Sequence, residues 1–267
     1  MLDVRLQNLA DSNRMIRNDT QVHFYHGAAV LLAKVVLLDR DALRPGESCY
    51  AQLRLTEPVA SKNGDRFVVR FYSPLETIGG GVILDDAPLR HRRNVPQVLE
   101  ALAIRESGSG SDRVLQVLTE FGLRLPDGAQ LAARLQMDEA ELHDELQGLC
   151  NQGRAVEPLP GRFVAAGRLD GVWSDCREIL TLYHKQNPLH AGMKVAELRQ
   201  KLFQSMELPL ADALLGTLAR EGKIRRVAER YALWDFEVRF TKRQSAIREK
   251  ILQTYRKAGL ELSLIHI

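Results

Sequence analysis

The strongest constraint on this chain is an internal repeat. Leu146-x-x-Leu149-x-x-x-Gly153-Arg154 returns 69 residues later as Leu215-x-x-Leu218-x-x-x-Gly222-Lys223. Each copy runs on into a short turn-rich segment ending in an aromatic, Gly161-Arg162-Phe163-Val164 and Glu229-Arg230-Tyr231-Ala232. A third copy begins later, because Ile179-Leu180, Tyr183 and Lys185 reappear 72 residues on as Ile251-Leu252, Tyr255 and Lys257. A unit of helical period, a glycine stop and then a hairpin describes the winged-helix variant of the helix-turn-helix. Asp138 is expected to cap the third helix of the first unit, with Glu141 reaching back as a capping box. Pro209 suits the first turn of the corresponding helix in the second unit.

Ahead of the repeat the period is two. Asp3-Val4-Arg5-Leu6, Val22-His23-Phe24-Tyr25, Cys49 to Leu55, Arg66 to Tyr72 and Thr77 to Leu84 read as short strands. They are separated by the turn signals Arg44-Pro45-Gly46-Glu47 and Lys62-Asn63-Gly64-Asp65, which argues for a closed barrel or sandwich. Arg54 and Arg70 fall at outward positions of that alternation. Asp86 to Arg93 reads as a short basic connector, and Glu106 to Ser111 as a flexible joint ending in a helix cap at Ser111 or Asp112.

Composition excludes several classes. Of 267 residues, 45% are hydrophobic and 27% charged, enough to build cores. The longest apolar stretch, Val22 to Leu38, carries His23, His26 and Lys34 and falls short of the ~20 residues a membrane helix needs. No secretory leader is visible, and three scattered cysteines (Cys49, Cys150, Cys176) read as reduced thiols of a cytoplasmic protein. The net charge of +3 is unevenly spread. Residues 1–93 carry 13 basic and 11 acidic side chains, residues 94–169 carry 7 and 11, and residues 170–267 carry 17 and 12. Such asymmetry points the C-terminal end toward a polyanion and leaves the middle as an acidic spacer.

Catalytic and metal chemistry is not legible. Gly216 to Ile224 fails as a phosphate loop, because five residues separate the glycines and Ile224 stands where a hydroxyl should hold magnesium. Gly222 is more simply a helix stop. Gly79-Gly80-Gly81 suits a tight strand crossing, and His23 and His26 point to opposite faces of one strand, where they cannot share a metal. Cys176 and His184 read as packing residues of one amphipathic helix. The basic clusters remain: Lys223, Arg225, Arg226 and Arg230 on the expected second wing, and Arg239, Lys242, Arg243, Arg248 and Lys250 at the start of the third copy. They are candidate RNA or ribosome contacts through phosphate.

Val22 to Ala29, Leu43-Arg44-Pro45-Gly46-Glu47, Gly64 to Arg70 and Thr77 to Gly81 occur in an order that resembles the third domain of the bacterial selenocysteine-specific elongation factors, the SelB family, relatives of EF-Tu. The resemblance implies a multidomain β + α chain: an EF-Tu domain III-like β-barrel over residues 1–88, then tandem winged helices over 89–168 and 169–237. It further implies the start of a truncated third winged helix over 238–261, while residues 262–267 resemble a translated library adapter and are set aside. The family binds GTP and Mg, carries selenocysteinyl-tRNA, and grips an mRNA hairpin beside a UGA codon on the ribosome. On this resemblance the chain opens where the third domain would begin, needs no cofactor of its own, catalyses nothing, and is a cytoplasmic monomer that does not touch membrane. Carried over by motif, His26, Gly27, Arg66 and Arg70, with Lys62 on the adjoining turn, are the tRNA-binding candidates. The rival reading is a DNA-binding transcriptional regulator with tandem winged helices. It requires a basic recognition helix, and the first candidate, Asp138 to Glu145, is acidic.

Overall fold

The structure, a computed structural model, describes residues 1–73 and 75–258. The last residues of the expected third copy, 259–261, and the adapter-like 262–267 lie outside the described residues. The chain forms two compact units. The first comprises Met1–Gly122, Pro126–Val156 and Gly161–Ala165; the second comprises Leu123–Leu125, Glu157–Pro160 and the chain from Ala166 onward.

The first unit begins with strands β1 (Leu2–Asn8), β2 (Ile16–Arg17), β3 (Gln21–His26), β4 (Ala29–Leu37), β5 (Ala42–Leu43), β6 (Ser48–Leu55), β7 (Arg66–Phe71) and β8 (Thr77–Asp85). Six of them close in the order β1-β6-β4-β3-β7-β8, with β8 pairing back to β1, and β2-β5 form a small separate ribbon. Alternation does what it predicts. Val4, Leu6, Val22, Phe24, Val35, Leu53, Phe67 and Val69 point inward and are buried, while their neighbours face out. The apolar stretch that is too short for a membrane span supplies β3 and β4, joined at the tight turn Gly27-Ala28.

The triple glycine seals the barrel. β8 lies between β1 and β7, opposite Leu6, Gln7 and Asn8 on one side and Phe67, Val68 and Val69 on the other. A Cβ on Gly79 would overlap the Gln7 carbonyl, one on Gly80 the Phe67 carbonyl, and one on Gly81 the Arg5 carbonyl. The seam is therefore closed by bare backbone, with a register shift beside it between Val69 and Arg70.

The connector after the barrel is strapped down. Arg93 donates to the carbonyls of Leu37 (2.7 Å) and Arg40 (2.6 Å), and Gln52 donates to the Leu89 carbonyl (2.9 Å). His91 Nε2 lies 2.7 Å from Oδ2 of the buried Asp3. Helix α1 (Pro96–Ser107) then lays Val98, Leu99 and Leu102 on the barrel's outer surface, over Val36, Leu38, Leu84 and Tyr50.

The first winged helix follows as α2 (Gly110–Phe121), α3 (Gly128–Leu135), α4 (Glu139–Asn151) and the hairpin β9 (Ala155–Leu159) and β10 (Arg162–Ala165). Leu142, Leu146 and Leu149, the repeat's leucines among them, pack with Val114, Val117, Leu118 and Leu131. Two local expectations shift. The joint is tighter than a flexible linker, because Ser109, not Ser111 or Asp112, caps α2 by accepting from the Asp112 amide. Asp138 does cap α4, but it accepts from Ala140; the reciprocal box belongs to Asp127 and Gln130 at α3.

Barrel and first winged helix share a buried ionic cluster. Asp85, at the end of β8 and 3% exposed, receives both guanidinium nitrogens of Arg134 (2.8 and 2.6 Å) and one of Arg105 (3.1 Å). Arg105 in turn grips both oxygens of Glu120 (2.8 and 2.9 Å). Burial raises the Asp85 carboxyl, but Arg134 and Arg105 outweigh it and hold the group below its ordinary 3.8. Gln136 adds a link from α3 to Asp86 (2.8 Å) and accepts from the Asn63 amide (2.8 Å).

The second unit carries α5 (Ala166–Gln186), β11 (Met193–Lys194), α6 (Val195–Leu202), α7 (Leu208–Arg220), β12 (Ile224–Val227) and β13 (Arg230–Leu233). β13 sits between β11 and β12, completing the winged-helix sheet. Leu214, Leu215, Leu218, Ile224, Tyr231 and Ala232 are buried, so the repeat's motif residues fill equivalent places in both winged helices. Pro209 lies in the first turn of α7, and Gly222, at φ +70°, ends it. Helix α8 (Lys242–Ala258) carries the third copy's Ile251, Leu252 and Tyr255, which are exposed at 50%, 43% and 45%.

Two outcomes follow for the first unit. Arg134→Ala should lower its unfolding free energy by about 3 kcal/mol, because it leaves a buried carboxylate half-paired; urea unfolding measures this. Hydrogen bonding to Asp3, against the opposing effect of burial, raises the His91 pKa above its ordinary 6.5. A raised base stabilises fully below the unfolded value and loses its contribution as pH rises through the folded one. Thermal stability of the first unit should therefore fall as pH climbs above 6.5, and His91→Gln should flatten that slope.

Candidate nucleic-acid interfaces

On the barrel, the motif residues gather where the β3–β4 turn meets the turn before β7. Gly27 takes the left-handed φ of +56° that this tight turn requires, with open space around it. His26 Nε2 contacts Asp65 Oδ2 at 3.1 Å, and the same oxygen accepts from the Lys62 amide at 3.0 Å. That backbone hydrogen bond, with His26, holds the Asp65 carboxyl below its ordinary 3.8. Asp65 thus ties the two turns together and sets His26, Gly27, Lys62 and the exposed Arg66 side by side. The His26 side chain is 15% exposed, so its role here is to hold the turns.

Arg70 lies further along β7, on the outer face shared with Arg66. Its guanidinium stands 5.8 Å from the Tyr25 ring centre and donates to the Leu75 carbonyl (3.3 Å). His23, opposite Arg70 in register, stacks on Tyr72 with ring centres 5.3 Å apart and planes 10° apart. Tyr72 itself is 62% exposed. His23, Tyr25 and Tyr72 do not stand out as contacts in the sequence. Alternation held the signal, since residues 23 and 25 share a face that pairs with residues 68 and 70.

In the second unit, the expected wing cluster divides. Burial lowers Lys223, but Glu221 (2.9 Å) and Asp170 (3.4 Å) outweigh it and hold the ammonium above its ordinary value. Arg225 donates to the Phe236 carbonyl and Arg230 to the Gly192 carbonyl. Arg226 is exposed near the hairpin tip but folds back on Ala228 and Glu229. The wing's cations thus mostly serve the wing.

The cations beyond it are different. Arg239, Lys242, Arg243 and Lys250 are exposed and make no ion pair among the described residues. Thr241 and Gln244 close a reciprocal cap at the start of α8, each accepting from the other's amide. That cap puts Lys242 and Arg243 in the first turn, where the helix dipole already presents positive potential. Positive charge there is unfavourable for the helix and favourable for an approaching phosphate. Arg248 lies 5.3 Å from the Phe240 ring centre.

Neither third helix of the winged helices presents a basic face. α4 carries Glu139, Glu141, Asp144 and Glu145. α7 has Asp212 and Arg220 as its charged residues; Asp212 pairs with Arg199 (3.1 Å) and Arg220 donates to Thr217 (2.8 Å). Nothing here favours the DNA-binding regulator. Cys176 is buried, its thiol pushed up to about 12 by burial, and His184 is buried beneath Phe236 with its pKa lowered by desolvation and by Arg225. Both are packing residues. Among the described residues no three His, Cys, Asp or Glu side chains gather as a metal site.

Known proteins agree with this layout. Residues 3–90 match the family model of the selenocysteine-specific elongation factor β-barrel domain, and residues 177–230 match that of an elongation factor SelB winged helix. The chain is 33% identical over 260 residues to a selenocysteine-specific elongation factor of Desulfomicrobium baculatum, covering 97% of this chain and 41% of that protein. A selenocysteine-specific elongation factor of Haemophilus influenzae is 23% identical over 91% of this chain and 38% of its own length. The fold resembles a crystal structure of a bacterial selenocysteine-specific elongation factor, EF-Sec, with a TM-score of 0.56 and 15% identity over 96% of this chain and 38% of that one. The chain thus spans about two fifths of the length of these relatives.

The division of the wing predicts two kinds of cation. Lys223→Ala and Arg225→Ala should lower the melting temperature by several degrees. Combined alanine replacement of Arg239, Lys242 and Arg243 should leave it unchanged or slightly raised. Scanning calorimetry of each variant distinguishes the two kinds.

Proposed function

This chain belongs to the selenocysteine-specific elongation factor family, and we propose that it serves there as the tRNA-facing barrel and mRNA-tethering arm. In this reading the whole factor delivers selenocysteinyl-tRNA to the ribosome at UGA codons, in the cytoplasm. The exposed Lys62 and Arg66, with Arg70 laid over Tyr25, face the tRNA backbone beside the ordered turns at Gly27 and Asp65. The unpaired cations around the start of α8 approach an mRNA hairpin or ribosomal RNA, while the acidic first winged helix keeps its distance from phosphate. No helix among the described residues is long and apolar enough to cross a membrane.

The observation that supports tethering best is the contrast between wing and helix start. Where cations stabilise the fold they are paired, and at the capped start of α8 they are left unpaired at the helix's positive end. GTP and magnesium chemistry is assigned in this reading to parts of the whole factor other than the barrel and winged helices; the run Gly216 to Ile224 lacks the spacing and hydroxyl of a phosphate loop.

The test is the salt dependence of binding to an RNA hairpin. Replacing Arg239, Lys242, Arg243 and Lys250 by alanine should reduce the slope of log K against log salt by about 1 for each phosphate no longer neutralised. Arg226→Ala should change it less. An unchanged slope in the fourfold variant overturns the assignment of tethering to this end.

A further inference from the structure

The second unit contains a cleft that neither the wing nor α8 explains. One face of α5 presents Trp173, Arg177, Thr181 and Lys185 at steps of four, the spacing that lines up side chains along a helix. Opposite it stand Trp234 and Phe236, just past the end of β13. Together they bound a cavity of about 710 Å³, within the range of small-ligand sites. Trp234 is 55% exposed, an unusual place for so large a ring, and Arg177 and Lys185 are exposed without an ion-pair partner among the described residues.

The floor is built for flat rings. His184, 6% exposed, is stacked on Phe236 with centres 3.5 Å apart and planes 11° apart. Its Nε2 accepts from the Leu233 amide at 3.3 Å, which places the proton of the neutral ring on Nδ1. That Nδ1 is buried and has no acceptor. A buried donor without a partner is uncommon and calls for an explanation. Lys223, held by Glu221 and Asp170, stands 6.0 Å from the Trp173 ring centre and completes an aromatic wall with a cation beside it.

We propose that this cleft, formed by Trp173 and Trp234 over the His184–Phe236 stack, binds an unstacked base of single-stranded RNA. Aromatic faces take any base by stacking, and Arg177 and Lys185 at the rim supply the charge that tracks a phosphate backbone. A duplex cannot use such a site, because its bases are already stacked and paired. The orphaned Nδ1–H leaves an unused hydrogen-bond donor beside the stacked floor. Charge complementarity favours RNA over a neutral apolar segment, with Asp235 the one acidic lining residue against the unpaired Arg177 and Lys185. The inference concerns a different surface from the α8 tether and does not rest on it.

Trp173 and Trp234 are the chain's two tryptophans, so intrinsic fluorescence reports this cleft directly. Unstructured oligouridylate and oligoadenylate of about six nucleotides should quench that fluorescence saturably, and a fully paired RNA duplex should not. Trp234→Ala should weaken binding about tenfold by anisotropy of a labelled oligonucleotide. Trp234→Phe should restore most of it, and an unchanged melting curve shows that both variants fold. The Arg239, Lys242 and Arg243 alanine variant should keep the saturable quench, so failure of the tether and failure of the cleft are separable. Absence of quenching, equal quenching by duplex, or quenching by an acidic peptide but not by oligonucleotide would overturn the proposal.

Discussion

Much of the first unit hangs on one carboxylate. Asp85 closes the last barrel strand, is almost fully buried, and is neutralised by two arginines from different helices. A lone buried charge of this kind is strongly destabilising, so the barrel end is satisfied only when α1 and α3 are in place to supply Arg105 and Arg134. Glu120 then balances the second positive charge. Such a cluster adds little net stability compared with an apolar contact of the same size, but it tolerates few alternative arrangements. It specifies how the first winged helix seats on the barrel, while the apolar patch of Leu102 on Val36, Leu38 and Leu84 supplies the adhesion.

Much of this architecture is legible in the amino-acid order, for a physical reason in each case. The barrel shows because Phe24, Phe67 and Val69 must alternate with exposed partners, and the winged helices show because Leu146, Leu149, Leu215 and Leu218 fill repeated cores. The cap at Ser109 is easily misplaced because a run of serines and glycines offers several equivalent oxygens, and tertiary packing chooses among them. Gly110, for example, abuts Glu145 of α4. The strapped connector is not legible at all. Nothing local in His91 or Arg93 announces that its partners are Asp3 and the Leu37 carbonyl, more than fifty residues away.

The candidate surfaces show the same limit more sharply. Eleven basic residues between 223 and 267 look alike in the sequence, yet Lys223, Arg225 and Arg230 are bound to acids or carbonyls within their own unit. Charge counting finds the region; the distinction between a cation that builds a wing and one offered to solvent needs geometry. The same holds on the barrel, where the motif points to His26 but the exposed ring is Tyr72. Trp173 and Trp234 lie 61 residues apart, and their shared cleft exists only once β13 has folded against α5.

The seam of bare glycines has a temporal consequence. β1 is held on one side by β6 and on the other by β8, so residues near position 5 wait for partners near position 82. Pairing across such a separation is slow, and during synthesis an early strand remains an open edge until its partner has left the ribosome. Asp85 then stays uncompensated until Arg105 and Arg134 have also emerged. The barrel's first strand is thus among the last of its strands to be secured, and during synthesis the barrel is most exposed to mispairing until α1 has followed it.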